Sequence, residues 1–243
     1  MTTDTSEKGL ESLIVAAMTG ATEPSPCPSD EVCEPPLPFD IPCWIQGDSG
    51  DYDRGYAIDL FQLRRFLQTT QPLVVPSLDL NSDSPTRQKF LARLQGEITK
   101  RGTIDVLRNG IKHGPHHIDL FYVIPSPDNA RAIERFQQNR FSVTWQLRYS
   151  RDETQLALDL CLFINGLPVA TFELKNSLTK QTVDDAIQQY KRDRDPKELL
   201  FEFGRCIVHF AVDDQEVRFC THLKGKDSWF LPFNKGWNDG AGN

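Results

Sequence analysis

Two spacings of apolar residues divide this chain. Near its start Leu10, Leu13, Ile14 and Ala17 recur three and four apart, which predicts a helix over residues 6–18 that Gly20 ends. Residues 57–69 repeat the pattern through Ile58, Phe61, Phe66 and Leu67. Residues 85–100 do so through Leu91, Leu94 and Ile98, after a Ser84 cap and a first-turn Pro85. Beyond them period-two alternation enters. Residues 117–124 predict the first strand, 127–139 a helix and 141–149 a second strand, where Phe141, Val143, Trp145, Leu147 and Tyr149 alternate with polar residues. A helix over 179–194 carries Val183, Ala186, Ile187 and Tyr190 on one stripe, and Pro196 ends it. A hairpin of 206–212 and 216–221 follows, turning at Asp213 and Asp214. Strands lying between helices predict an α/β fold with a central mixed sheet flanked by helices on both faces. Residues 21–55, broken by Pro24, Pro26, Pro28, Pro35, Pro36 and Pro38, predict an irregular insertion.

The run LDLCLFINGLPVATFELK, residues 158–175, predicts a hairpin around Asn165 and Gly166. Leu158, Leu160, Leu162 and Ile164 surround Asp159 on the first strand, and Phe172 and Leu174 interleave with Glu173 and Lys175 on the second. A charge inside a half-buried strand is costly unless it is paired or binds an ion. Glu173 and Lys175 are two apart and share a face. The turn decides whether Asp159 joins them. A two-residue loop pairs Asp159 with Phe172 and puts Glu173 on the opposite face. A three-residue loop of Ile164, Asn165 and a left-handed, bulged Gly166 pairs Asp159 with Thr171. The two carboxylates then lie diagonally on one face, roughly 7–8 Å between their backbone positions. The functional reading requires the bulged turn.

Asp159, Glu173 and the carbonyl of Leu174 are the oxygen donors that Mg²⁺ prefers, since it is usually held by one or two carboxylates plus a phosphate. Such a metal activates a water and neutralises charge on a phosphoryl transition state. Lys175 beside it would orient the water, stabilise developing charge, or act as a neutral base if its pKa were depressed. The plain alternative is a surface Glu–Lys pair on an edge hairpin.

Composition narrows the class. The 39% hydrophobic fraction, with glycine added, suits a globular core. No 18-residue apolar run predicts a membrane span, and the first residues do not read as a signal peptide. The six cysteines therefore read as reduced, cytoplasmic thiols. Cys161, Cys206 and Cys220 fall in apolar strands and predict buried thiols, while Cys27, Cys33 and Cys43 are spaced too widely for a zinc site. His113, His116 and His117 read as a polar turn before a strand. A net charge of −7 is unusual for a nucleic-acid binder. Lys191, Arg192 and Arg194 form a local basic cluster, suited to a DNA backbone or to a helix C-terminus.

These residues resemble the PD-(D/E)xK nuclease superfamily, and more narrowly the N-terminal nuclease region of the R subunit of type I restriction enzymes. The resemblance is carried by residues 158–175, 181–194 and 203–212. It implies a restriction-endonuclease-like core over residues 1–235 and a linker-like tail over 236–243. It also implies that Asp159 and Glu173 are the acidic metal ligands, with Lys175 as the family's lysine. Glu11 is similar to an acidic residue that many members place on the first helix. The family's Q-x-x-x-Y element is only partly matched. Tyr190 is present, Ala186 stands where the glutamine belongs, and Gln189 is a near substitute. The resemblance implies a Mg²⁺-dependent endonuclease acting on double-stranded DNA, partnered by specificity and methylation subunits. ATP-driven translocation would reside elsewhere, because no G-x-x-x-x-G-K-[ST] loop occurs here. Alternatives are a silent nuclease-fold docking or regulatory domain, and a stand-alone restriction or repair nuclease.

Overall fold

The computed structural model describes residues 7–20, 42–152 and 155–233. In chain order it places α1 (Glu7–Thr19), β1 (Trp44–Gln46), β2 (Tyr52–Asp53), β3 (Ile58–Asp59), α2 (Leu60–Thr70), α3 (Val75–Leu78), α4 (Pro85–Arg101) and α5 (Thr103–Asn109). There follow β4 (Ile111–His113), β5 (His116–Ile118), α6 (Ala130–Gln137), β6 (Phe141–Arg148), β7 (Ala157–Ile164) and β8 (Leu167–Leu174). The last elements are α7 (Val183–Arg192), β9 (Val208–Val212), β10 (Val217–Cys220) and β11 (Leu231–Pro232). The main sheet runs β1-β6-β7-β8-β9-β10-β11. β1 with β6 and β8 with β9 are parallel and the other pairs antiparallel, so the sheet is mixed as expected.

Helices flank both faces. On one, Leu10, Ile14, Val15 and Met18 of α1 pack with Val143, Leu160, Phe172 and Leu174. On the other, Val183, Ala186 and Ile187 of α7 pack on Ala211, and Tyr190 joins Tyr149, Cys161 and Phe201. The α7 N-terminus is held by the Thr182 N–H donating to Asp185 and the Val183 N–H donating to Asp213, each at 2.8 Å, which occupies two donors a helix start leaves open. A second core lies beyond the turn end of the β7–β8 hairpin. Phe66, Phe90, Leu94 and Ile98, from α2 and α4, are buried there with Leu167 and Val169 of β8. Each such fully buried Phe contributes about 1.5–3 kcal/mol.

The strand expected over 117–124 is shorter and lies outside the main sheet. Only His116–Ile118 is extended, paired with Ile111–His113 in its own ribbon. Further on, side-chain amides take the place of a neighbouring strand. Gln71 bonds both N–H and C=O of Asp119, Asn139 does the same for Tyr122, and Asn165 donates to the Leu120 carbonyl. The backbone is satisfied without a ladder. Of the expected irregular insertion, 21–41 lies outside the described residues, but Trp44–Gln46 forms an edge strand of the sheet. α5 had no distinct periodic signal of its own. The linker expected at 236–243 also lies outside the described residues. Cys161, Cys206 and Cys220 are buried free thiols, as expected, and Cys43 is exposed.

Candidate active site

The hairpin forms, but its turn differs from the one the functional reading required. Ile164 pairs with Leu167 across a two-residue loop, with φ 51° at Asn165 and 86° at Gly166. The extra residue sits further along. Leu162 pairs with Ala170 while Phe163 pairs with Pro168, so Val169 bulges out of β8. Pro168 has no N–H for the ladder, and the Val169 carbonyl accepts the Ile207 N–H at 2.9 Å instead. The bulge shifts register by one, so that Leu160 faces Phe172. Continuing that register sets Asp159 opposite Glu173, on one face. The expected juxtaposition thus arises by a route the turn signal did not contain.

The turn itself is locked into the second core. Asn165 is fully buried; its amide donates to the Leu120 carbonyl and to Asn139, and its oxygen accepts the Arg140 N–H. A Cβ on Gly166 would stand 2.4 Å from the Asp59 carbonyl oxygen, so the close approach of β3 demands glycine as much as the positive φ does.

At the far end of the hairpin the β6 backbone kinks. Gln146 takes φ 46° in the middle of a strand, a strained conformation for a residue with a side chain. The register on either side, Trp145 with Leu160 and Leu147 with Leu158, sets Gln146 opposite Asp159. The strands change faces here. Val143 and Leu160 pack on the α1 side, whereas Leu147 and Leu158 pack on the α7 side. Trp145, expected inside, is 39% exposed for the same reason. The Gln146 amide donates to Glu11 Oε1 at 2.7 Å and lies 3.5 Å from Asp159 Oδ1. Glu11 is buried, so α1 does deliver its carboxylate to this place.

Glu173 is completely buried and Lys175 is 7% exposed. Asp159 Oδ2 accepts the Leu174 N–H at 2.7 Å, so a side chain replaces the backbone partner where the two strands part. Arg194 Nε donates to Glu173 Oε1 at 2.6 Å; its other nitrogens donate to the Ala157 carbonyl and, at 3.3 Å, to the Tyr149 hydroxyl. Burial pushes the Glu173 carboxyl above the ordinary carboxylate range, with Arg194 and Lys175 pulling it back down and Asp159 adding to the rise. The short Arg194 contact is that of a charge-assisted pair. Burial alone disfavours charge on Arg194, but Glu173 more than offsets it and holds the guanidinium charged. Glu173 Oε2, also buried, has no hydrogen-bond partner among the described residues.

Behind Glu173 on the same face, Thr171 Oγ1 lies 2.8 Å from the Tyr190 hydroxyl and 2.7 Å from His209 Nδ1. Tyr190 thus reaches the β8 face that carries Glu173 through Thr171. Gln189 is half-buried on the neighbouring turn of α7, Lys191 is half-buried and Arg192 exposed. Arg194 is placed differently from a cation meant for a DNA backbone: it is 4% exposed and turned inward onto Glu173. The sequence signal that could have found it is its position four residues after Tyr190, on the stripe that α7 buries. Gln146 gave no signal, since a strand pattern does not reveal a left-handed residue.

Residues 96–228, more than half of the chain, match the family described as type I restriction enzyme R protein N terminus. The chain belongs to this family. Gln146, Asp159, Glu173, Lys175, Tyr190 and Arg194 fall within the matched segment of the R protein N-terminal domain, and Glu11 lies outside it. The chain is also similar to the putative type I restriction enzyme MjaIXP endonuclease subunit of Methanocaldococcus jannaschii, at 26% identity over 141 residues. That match covers 56% of this chain and 13% of the relative.

The donor set fits a hard cation. Two carboxylates meet at one place, and one carries a buried oxygen with no hydrogen-bond partner among the described residues, which is costly unless something binds it. Among the described residues no group of three or more His, Cys, Asp or Glu side chains has a metal-binding arrangement. A metal here would complete its shell with backbone, water or substrate oxygens, as Mg²⁺ commonly does. Among the described residues no helix is long and apolar enough to cross a membrane.

Proposed function

We propose that this chain is an endonuclease module, Mg²⁺-dependent, that cleaves phosphodiester bonds of double-stranded DNA within a type I restriction–modification complex. The carrying observation is Glu173 Oε2, buried and without a hydrogen-bond partner among the described residues, on the strand face shared with Lys175 and opposite Asp159. Family membership and the relative named an endonuclease subunit support the same reading. On it, the core is the restriction-endonuclease-like PD-(D/E)xK fold. Asp159, Glu173 and the Leu174 carbonyl hold the metal, which when bound activates water and neutralises phosphoryl charge. Lys175 orients the attacking water or stabilises the developing charge. Glu11 acts through Gln146, and Tyr190 and Gln189 support the site from α7. Lys191 and Arg192 face the DNA backbone, whereas Arg194 is reassigned to holding Glu173. ATP-driven translocation and sequence reading are assigned to other regions of a longer subunit and to the specificity and methylation subunits. Free thiols suit a cytoplasmic setting.

Mg²⁺ calorimetry on the wild-type chain and on Asp159→Ala, each with a duplex oligonucleotide present, tests the reading. Binding and nicking by the wild type that both disappear in a folded variant are expected. Equal binding in the two would sink it. A second reading, a nuclease-fold docking domain without turnover, draws on the complete enclosure of Glu173 and its neutralisation by Arg194. It predicts no Mg²⁺ binding to either protein.

A further inference from the structure

We infer that a second, basic cavity on the helical subdomain binds the phosphate backbone of duplex DNA away from the candidate active site. The inference rests on the reading of this chain as a DNA endonuclease module. The cavity, about 500 Å³, is lined by Lys89 and Arg93 of α4 and by Lys112, His113 and Gly114 of the β4–β5 hairpin. Among the described residues no acidic side chain lines it. This stands against the overall charge. The chain carries −7, yet residues 85–117 hold seven Lys and Arg against two Asp and Glu. Both acids in that segment are occupied on the segment's own arginines: Glu97 bridges Arg93 and Arg101, and Asp105 pairs with Arg101. Lys89 and Lys112 are exposed and have no ion pair among the described residues.

The fold holds these cations in fixed relation. Arg93 Nε donates to the Lys112 carbonyl at 3.4 Å, tying the helix to the hairpin. His113 stacks edge-on against the buried Phe90, and His116 is its cross-strand partner. Desolvation, then Lys89, Arg93 and His116, lower the pKa of His113, as expected where positive potential converges. Gly114 at the hairpin tip has φ 57° and open space where a side chain would stand, so an extended polyanion can approach the backbone. A pocket of cations without acids attracts phosphate rather than base edges. Its position gives it a use. The subdomain grips β8 at Leu167, about 20 Å along the strand from Glu173. A duplex bound at the cavity would be held by a contact that does not include Asp159, Glu173 or Lys175.

The test is the affinity of the wild-type chain and the double variant Lys89→Gln/Lys112→Gln for a labelled 30-base-pair duplex without Mg²⁺, measured by anisotropy over a salt series. Both lysines are exposed, so the variant is expected to fold, which circular dichroism checks. The slope of log affinity against log salt should fall by about two, with a sequence-independent loss of binding. Unchanged slope and affinity in the double variant, or no duplex binding by the wild type, overturns the inference. Displacement of the duplex by polyglutamate at equal charge concentration also overturns it, since the pocket would then be a general polyanion site. If the lysine variant loses DNA while the wild type neither binds Mg²⁺ nor cleaves, the cavity stands and the endonuclease reading fails.

Discussion

Arg194 Nε and Glu173 Oε1 meet at 2.6 Å inside the protein, with neither side chain more than 3% exposed. The contact reaches from the segment after α7 to the second carboxylate of the candidate site and leaves the other Glu173 oxygen unpartnered among the described residues. A buried pair is strongly coupled because each charge is uncompensated without the other. Arg194→Met is therefore expected to destabilise the fold by about 3–5 kcal/mol. The double variant Glu173→Gln/Arg194→Met should recover much of that loss. Urea denaturation of the two proteins checks it, and equal instability in both would show that Arg194 acts on something other than Glu173.

Gln146 connects Glu11 to the site from a left-handed position in β6. Gln146→Gly removes the side chain and relieves the backbone together. Its stability should stay within about 1 kcal/mol of wild type, because strain relief offsets glycine's entropy cost. Mg²⁺ affinity should fall several-fold, with Gln146→Asn intermediate. Calorimetry beside thermal unfolding separates the two effects. Unaltered Mg²⁺ binding in the glycine variant would leave Gln146 a purely structural kink.

Gly166 permits the close approach of β3 to the hairpin turn. Gly166→Ala meets both a positive φ and backbone atoms at 2.4 and 2.7 Å, and overpacking of this kind costs about 1–3 kcal/mol or more. The damage should centre on the junction between the sheet and the helical core. Hydrogen exchange should show faster exchange at Asp59, whose N–H donates to the Gly166 carbonyl at 2.9 Å.

His209 supplies a pH dependence. Burial, then the neighbouring His222, lowers its pKa from 6.5 to about 3, so it is neutral in the folded protein. The unfolded chain binds the proton more readily between those values. Stability from this group is therefore present above pH 6.5 and is lost as pH falls toward 3. The loss at pH 4 should approach about 3 kcal/mol as an upper bound. The difference between the unfolding curves of wild type and His209→Gln, followed from pH 7 to 4, isolates it. Parallel curves would mean that His209 is protonated at no cost.

The helices were legible because periodicity and capping are local. Ser84 and Pro85 start α4, and the apolar stripe of α7 faces the sheet, as the sequence implies. Strand content was read well where alternation held and badly where side-chain amides replaced a ladder, as around Asp119 and Tyr122. The candidate triad was readable because charges inside apolar strands are costly and so stand out. Its geometry was not readable, since the turn residues spoke only for the turn, and the register shift comes from Val169, whose carbonyl is claimed by Ile207 of the strand approach on the far side.

The sequence by itself determined the class of fold, the hairpin, and the acidic and basic residue types the site brings together, because these follow from contacts between near neighbours. Only the tertiary structure decided that a bulge aligns Asp159 with Glu173 and that Gln146 kinks to meet Glu11. It also decided that Arg194 turns inward and that the cations of α4 and the β4–β5 hairpin close around one cavity. Those outcomes depend on which distant groups compete for the same backbone bond, buried charge or free volume, and that competition has no signature in local spacing.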